Sequence, residues 1–509
     1  MEWSELAKSI FMVVYTFALA MVSLYGLHRY VLVFLYYRHR KDVPTPKGLF
    51  AELPRVTVQL PMYNEQFVAR RIIEKTCEID YPREKLQIQV LDDSTDSTCQ
   101  IAQAAVAEAR ERGFDIEYVH RDDRTGFKAG ALENGLKTAK GEFISIFDAD
   151  FIPAPTFLKR SIHYFTDPRI CAVQTRWEHL NRADSMLTRS QAILLDGHFA
   201  IEHVARNRSD RFMSFNGTAG TWRREAIASA GGWQHDTLTE DLDLSYRAQM
   251  KGWKFVFLRE LAAPAELPPE MNAFKAQQFR WTKGGAQTAI KLLPKLLMSR
   301  MPLKVKVEGF FHLSCFSLHL YMLLMIALML PAMYLRCGPG DADSFWRTCV
   351  DMGVFALATL SASVFYCAAQ QELFGDWRVA AKYMPMMMAL GVGLCLSNTK
   401  AILEALFGRK SEFVRTPKYG NPADRNVPNP VAPGRRRKKN ALPYVEMFFG
   451  LYMAVCTVLS VVDVRSIILT PFLVIFTFGF FYVSVLSLLA QRVPSLAKEP
   501  QASTVRIDA

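Results

Sequence analysis

Hydrophobic positions follow two regimes along this chain. From Ile10 to Leu27 no charge interrupts an apolar run just long enough to cross a bilayer. Similar runs recur over Gly309 to Leu335, Val350 to Ala369, Tyr444 to Val462 and Ile467 to Ala490, with Asp463 to Ser466 as a tight turn between the last two. Five membrane spans are predicted. Tyr383 to Leu396 is apolar but shorter, contains Pro385 and continues into the amphipathic Asn398 to Phe407. That pattern predicts an interfacial helix rather than a sixth span.

Between about Leu53 and Arg300 the pattern is that of a soluble domain. Arg55 to Leu60, Gln87 to Leu91 and Phe143 to Phe147 read as buried strands, separated by alanine-rich helical segments such as Ile101 to Arg110. Strand and helix in alternation predict an α/β domain with a mostly parallel sheet. Ligands on such sheets bind beyond the carboxyl ends of the strands. Three polar motifs fall at those ends: Pro61-Met62-Tyr63-Asn64-Glu65, Asp92-Asp93 and Asp148-Ala149-Asp150.

Composition sharpens this outline. Half of the 509 residues are hydrophobic and 22% are charged. The net charge of +12 invites a nucleic-acid reading, which the placement of the charges excludes. Arg38, Arg40 and Lys41, Lys304 and Lys306, Arg409 and Lys410, and Arg435 to Lys439 all flank apolar runs. This is the positive-inside pattern; it puts the N-terminus outside and the soluble domain in the cytoplasm of an inner or plasma membrane. The nine cysteines lack CxxC spacing, so no zinc site is indicated. Cys337 and Cys349 fall in one predicted outer loop, as a disulfide or as two unrelated thiols. No cleavable signal peptide is evident, and Ile10 to Leu27 reads as an uncleaved anchor.

The acidic motifs suggest sugar-transfer chemistry. Asp148 and Asp150 alternate along an extended segment, so their carboxylates address different partners. A magnesium or manganese ion held there would neutralise a diphosphate leaving group. Lys128, in Gly126-Phe127-Lys128-Ala129-Gly130, suits close approach to phosphates. Asp241 follows Thr239-Glu240 at the start of an amphipathic helix. A helix N-terminal acid is ordinary, but in this company Asp241 reads as the general base for an acceptor hydroxyl. Direct displacement by one base inverts the anomeric centre. The small residues of Phe215-Asn216-Gly217-Thr218-Ala219-Gly220 let a bulky acceptor pass close to the backbone. Trp222, Trp233 and Trp253 read as core packing. On a helix Gln277, Arg280 and Trp281 share one face, offering an amide, a fork for a diphosphate and a platform for a sugar ring.

The motifs Asp92-Asp93, Asp148-Ala149-Asp150, Thr239-Glu240-Asp241 and Gln277-Gln278-Phe279-Arg280-Trp281 together resemble the D, D, D, QxxRW signature of processive family 2 glycosyltransferases, the cellulose synthase group. Gln89 to Asp96, Phe127 to Leu132 and Phe215 to Gly220 resemble the plant cellulose synthase-like A and C groups, which make mannan, glucomannan and glucan backbones. The resemblance implies a GT-A domain on interfacial helices above a transmembrane channel. It places Tyr63, Glu65, Asp92, Asp93, Lys128, Asp148, Gln277 and Arg280 on a nucleotide-sugar donor (UDP-glucose or GDP-mannose). It places Trp281, Asn216, Gly217, Thr218 and Glu240 on the acceptor, Asp241 as base, and Asp148 and Asp150 on the metal. Phe413-Val414-Arg415-Thr416-Pro417-Lys418 resembles the gating-loop motif FxVTxK, with Phe413, Thr416 and Lys418 as contacts, although Arg415 departs from it.

The organisation expected is therefore an N-terminal transmembrane helix (1–41), a GT-A domain with interfacial helices (42–300), two spans (301–370), an interfacial helix and gating loop (371–442), two spans (443–491) and a short tail (492–509). That tail is too short for a cyclic-dinucleotide-sensing barrel, so Arg435 to Lys439 reads as a lipid-facing basic cluster. With a single span before the catalytic domain, the channel would be smaller or completed by a second copy, and an export partner is conceivable. The leading expectation is a processive inverting β-glycosyltransferase that extends a polysaccharide and threads it outward. Single transfer to a ceramide or polyprenyl lipid is the alternative. A transporter or scaffold with a dead enzyme domain predicts a lost acidic motif, and none is lost; intramembrane His312 and His319 suit a polar chain path.

Overall fold

A seven-stranded sheet carries the soluble part: β1 Val56–Met62, β2 Leu86–Asp92, β3 Asp115–His120, β4 Phe143–Ile146, β5 Ile170–His179, β6 Gly220–Arg223 and β7 Lys254–Ala265, in the order β3-β2-β1-β4-β6-β5-β7. The computed structural model describes residues 5–336, 342–409, 415–420, 440–462 and 466–492. Phe413, Lys410, Cys337, the Asp463 to Arg465 part of the predicted turn, the Arg435 to Lys439 cluster and residues 493–509 of the tail lie outside these. Strands β3, β2, β1 and β4 run parallel; β6 alone reverses, pairing antiparallel with both β4 and β5, while β5 and β7 are parallel. The sheet is mixed and mostly parallel, as the alternation of elements predicts.

Both faces of the sheet are covered, so even its polar positions are enclosed. Thr57, Gln59, Gln87 and Gln89 are all fully buried. Each finds partners: Gln59 Nε2 donates to Gln89 Oε1 at 3.0 Å, and Gln89 Nε2 donates to the Gly135 carbonyl at 3.0 Å. These bonds tie β1 and β2 to helix Phe127–Leu136, which carries Lys128. A buried amide left unpaired would be destabilising, so the glutamines fix how this helix sits.

Five helices are long and apolar enough to cross a membrane: Glu5–His39, Leu303–Ala327, Met352–Phe374, Leu442–Val462 and Ile467–Gln491. They make the chain a membrane protein. Helices Arg378–Gly393 and Cys395–Leu406 meet at a 41° bend. The first lies directly on the last span, where a Cβ on Gly479 would come within 2.3 Å of the Ala389 carbonyl oxygen. The second is tied to helix Met271–Met298 by an ion pair of Lys283 with Glu404 at 2.8 Å.

Buried charge also locks the soluble domain to the spans. Lys275 Nζ, on helix Met271–Met298, donates to both oxygens of Glu446 at 2.6 and 2.8 Å, and Glu446 is fully buried. Replacing Lys275 with Met strands that carboxylate, an expected loss of ~3–5 kcal/mol. The double variant Lys275→Met/Glu446→Leu should recover most of it, because two apolar side chains leave no charge unpaired. Thermal unfolding in detergent measures both; equal loss in the single and double variants would refute the assignment.

Candidate active site

The carboxyl ends of β1, β2 and β4 converge on one cavity of ≈ 190 Å³. After β1 the chain turns through Asn64, whose φ of 54° is left-handed. Asn64 accepts from the Thr95 amide at 2.9 Å and gives its own N–H to Ser94 Oγ at 2.7 Å, which joins the two strand ends. Tyr63 and Glu65 thereby line the cavity. The Arg124 guanidinium lies 3.3 Å from the centroid of the Tyr63 ring.

Asp92 and Asp93 part company. Asp93 lines the cavity and holds Arg121 through two bonds, Nε at 2.8 Å and Nη2 at 2.5 Å. Asp92 is fully buried outside the lining, accepting from Tyr118 Oη at 2.8 Å and the Ser94 amide at 2.9 Å. Asp92, Cys99 and His120 also bring one potential ligand atom each within 4.8 Å of one another.

Lys128 sits at the entry of its helix, where Gly126 and Phe127 take φ of 77° and 50°. The motif's glycines serve this turn: a Cβ on Gly130 would stand 2.1 Å from the Thr125 carbonyl oxygen. They pack backbone on backbone, while the lysine alone reaches into the site. Its ammonium pairs with Asp148 and donates to the Gly217 carbonyl at 3.1 Å. Asp150 accepts from Lys418 at 2.5 Å and from the Glu266 amide at 3.3 Å. The two carboxylates thus address different lysines, one on each side of the strand end.

Glu240 and Asp241 open helix Glu240–Met250, and Asp241 Oδ1 accepts from the Leu242 amide at 2.8 Å. Burial pushes Asp241 up to about 7, and the neighbouring Glu240 charge adds to this against the opposing Lys128. Burial also raises Glu240, against the pull of Lys128. Lys128 stays above the ordinary lysine range: burial works to lower it, and Asp148, Glu240 and Asp241 outweigh that. Gly217 is required here. Its φ is 80°, and a Cβ would lie 3.1 Å from Asp241 Oδ2 and 3.4 Å from Lys128 Nζ. The Asn216 amide is clamped between two histidines, with Oδ1 2.5 Å from His203 Nε2 and Nδ2 3.0 Å from His198 Nε2. Thr218 lies behind the lining, fully buried, where its hydroxyl accepts from the Asp148 amide at 2.8 Å.

Gln277, Arg280 and Trp281 all reach the cavity from helix Met271–Met298. Residues 415–420 close its far side. Arg415 pairs with Glu65 at 2.6 Å, Thr416 is buried in the lining, and the Tyr419 and Gly420 amides donate to Glu266 Oε2 at 3.0 and 3.2 Å. Glu266 also holds Arg71 at 2.8 Å. Burial pushes Glu65 up to about 8, although Arg415 and Lys418 pull the other way. Arg415, where the sequence departs from FxVTxK, is the residue that meets Glu65.

Of the residues singled out in the sequence, the cavity gathers Tyr63, Glu65, Asp93, Lys128, Asp148, Asp150, Asn216, Gly217, Glu240, Asp241, Gln277, Arg280, Trp281, Thr416 and Lys418. It leaves out Asp92 and Thr218, while Phe413 lies outside the described residues. Glu266, Trp177 and His179 line it without having been anticipated. The near-alternating Trp177-Glu178-His179 of β5 ends beside the site, a signal visible only once β5 is known to neighbour β7.

Comparison with known proteins gives the family. Residues 54–284 match the family model described as "Glycosyltransferase like family 2". The chain is 43% identical over 254 residues to "Probable glucomannan 4-beta-mannosyltransferase 7" of Oryza sativa subsp. japonica, covering 49% of this chain and 43% of that protein. It is 36% identical over 385 residues to "Glucomannan 4-beta-mannosyltransferase 2" of Arabidopsis thaliana, covering 73% of this chain and 68% of that one. With the Arabidopsis "Glucomannan 4-beta-mannosyltransferase 7" identity is 32%, over 81% of this chain and 73% of the relative. The fold is shared with a mannosyltransferase from Pyrobaculum calidifontis solved in complex with GDP-Man and Mn2+, at a TM-score of 0.51 and 20% identity, covering 77% of this chain and 100% of that one. Through its four ordered motifs, its α/β domain of GT-A fold and the two Arabidopsis relatives, of which it covers 68% and 73%, the chain belongs to the family 2 glycosyltransferases of the cellulose synthase-like group.

Proposed function

We propose that this protein is an inverting, processive β-glycosyltransferase that builds a β-1,4-linked mannan or glucomannan from a nucleotide sugar and passes it across the membrane. The observation carrying this reading is Asp241: a half-buried carboxylate raised toward neutrality, in one cavity with the Lys128–Asp148 pair and with Gln277, Arg280 and Trp281. Its carboxylate takes the proton of an acceptor hydroxyl as that oxygen bonds the anomeric carbon and the diphosphate departs with the bond electrons. Arg280 and Lys128 are the cations placed to receive the diphosphate, Tyr63 offers a face for the base, and Trp281 offers a platform for the acceptor ring. The names of the relatives favour mannose over glucose as the sugar transferred, and the Pyrobaculum mannosyltransferase of shared fold was solved with GDP-Man, which favours GDP-mannose as donor.

Asp148 and Asp150 are hard oxygen donors, each already matched to a lysine ammonium, so the pair suits a cation. Bound there, magnesium or manganese supplies charge neutralisation for the diphosphate. Lys418 occupies an oxygen of Asp150 and would compete with that cation for it. Lys418→Ala should tighten Mn2+ binding to donor-free protein by about tenfold, the equivalent of ~1.4 kcal/mol. Manganese electron paramagnetic resonance measures this; unchanged affinity would detach Lys418 from the cation site. The bent helices Arg378–Gly393 and Cys395–Leu406 are read as interfacial. That keeps residues 415–420 on the cytoplasmic side with the catalytic domain, in an inner or plasma membrane.

The test is product formation by detergent-purified protein with magnesium or manganese and labelled GDP-mannose or UDP-glucose. A long product cut by a β-1,4-mannanase is expected. One sugar on extracted lipid would move the assignment to glycolipid synthesis, and a soluble monosaccharide alone would refute polymerisation.

A further inference from the structure

β5 leaves the sheet through Trp177 and His179, two residues apart and therefore on one face of the strand. Both line the cavity, and neither the indole Nε1 nor the imidazole Nε2 has a hydrogen-bond partner among the described residues. His179 is 7% exposed, so its nitrogen is not satisfied by bulk water. Their neighbours on β7 are the two smallest side chains available: Trp177 pairs with Ala263 and His179 with Ala265. Leu195 and Leu267 also line the cavity.

Groups of this kind are normally paired in a folded protein, and a pair of them in a pocket points to a ligand that completes them. The indole can only donate, whereas a neutral imidazole donates or accepts according to tautomer. Burial pulls His179 down to about 4, so it is neutral at physiological pH and attracts no phosphate. A partner that accepts from one, bonds the other and lays carbon against an indole edge and leucines is a pyranose: hydroxyls around the rim, C–H bonds on the faces.

We propose that Trp177 and His179 form a hydroxyl-reading sugar subsite of this enzyme, distinct from the diphosphate and base contacts. The inference rests on the glycosyltransferase reading of the cavity. The pyranose held there is either the sugar of the donor or the terminal unit of the growing chain, and these two sources are separable by binding.

Full-length protein in detergent is titrated calorimetrically with GDP, with GDP-mannose and with β-1,4-mannohexaose, comparing wild type with His179→Phe, Trp177→Phe and His179→Gln. The expected result is about tenfold weaker binding of one sugar ligand in both aromatic variants, with GDP unchanged, and partial rescue in His179→Gln. Weakening confined to GDP-mannose assigns the subsite to the donor sugar; weakening confined to mannohexaose assigns it to the acceptor. The proposal is overturned if both sugars bind all variants like wild type, if GDP weakens as much as GDP-mannose, or if wild type binds neither sugar. Should one variant fail to fold, seen as a shifted melting profile, the remaining two decide. Binding is read without turnover: a wild type that binds both sugars but forms no polymer sinks the polymerase reading and leaves the subsite standing.

Discussion

Asp241→Asn is expected to lower sugar transfer by ~10²–10⁴-fold while leaving donor binding within about twofold of wild type, the range set by loss of a general base. The amide keeps the shape of the side chain, and its oxygen still accepts from the Leu242 amide as Asp241 Oδ1 does at 2.8 Å. What it cannot do is accept the acceptor's proton. In the wild-type protein Asp241 titrates near 7, raised by burial and by Glu240. Because the ionised form is the base, the rate per encounter should fall about tenfold per pH unit below 7 and level off above it. An ordinary carboxylate, near ~4, would leave the rate flat across that range. The variant should lose this acid limb altogether. Retention of a tenth of wild-type transfer, or an unchanged pH profile, would remove Asp241 from the base role.

Lys128→Ala comes next in size, with an expected ~10²–10³-fold loss of transfer, the scale of deleting one preorganised charge partner for an oxyanion. The ammonium holds Asp148 and the Gly217 carbonyl together and stands opposite Glu240 and Asp241. Removing it takes a positive charge away from the Glu240–Asp241 carboxylate pair, which disfavours the ionised state of Asp241. The acid limb of the residual rate should therefore move to higher pH. A purely structural lysine would lower the rate without moving that limb. The midpoint of the pH profile, rather than the size of the loss, decides between the two.

The Arg124 guanidinium covers Tyr63, the aromatic face proposed for the base, so a nucleotide has to displace it or slip between the two. In the 415–420 segment Lys418 likewise meets Asp150. Both contacts put a cation where a bound donor and its metal would bring ring and charge.

Much was legible in the residue order alone. Strand ends could be located because β1, β2 and β4 are short apolar runs that stop at polar motifs, and in a parallel sheet those stops converge. The shared face of Gln277, Arg280 and Trp281 followed from helix period, and the five spans from uninterrupted apolar length. Such features are set by local periodicity, which one segment determines by itself.

Tertiary structure decided which member of each adjacent pair faces the cavity. Asp92 and Asp93 are neighbours at a strand end and so face opposite ways; only the packing of Tyr118 on one side and Arg121 on the other shows that Asp93 faces the cavity. Gly217 and Thr218 divide in the same way, the first against Asp241 and the second behind Asp148. The pairings of Glu65 with Arg415 and Asp150 with Lys418 join residues far apart in the chain, set by where a loop returns. Trp177 and His179 became notable only because β7 offers them alanines and no partners. A sequence specifies which groups are present and with what period. Whether a group is satisfied depends on what the rest of the chain brings within hydrogen-bond reach.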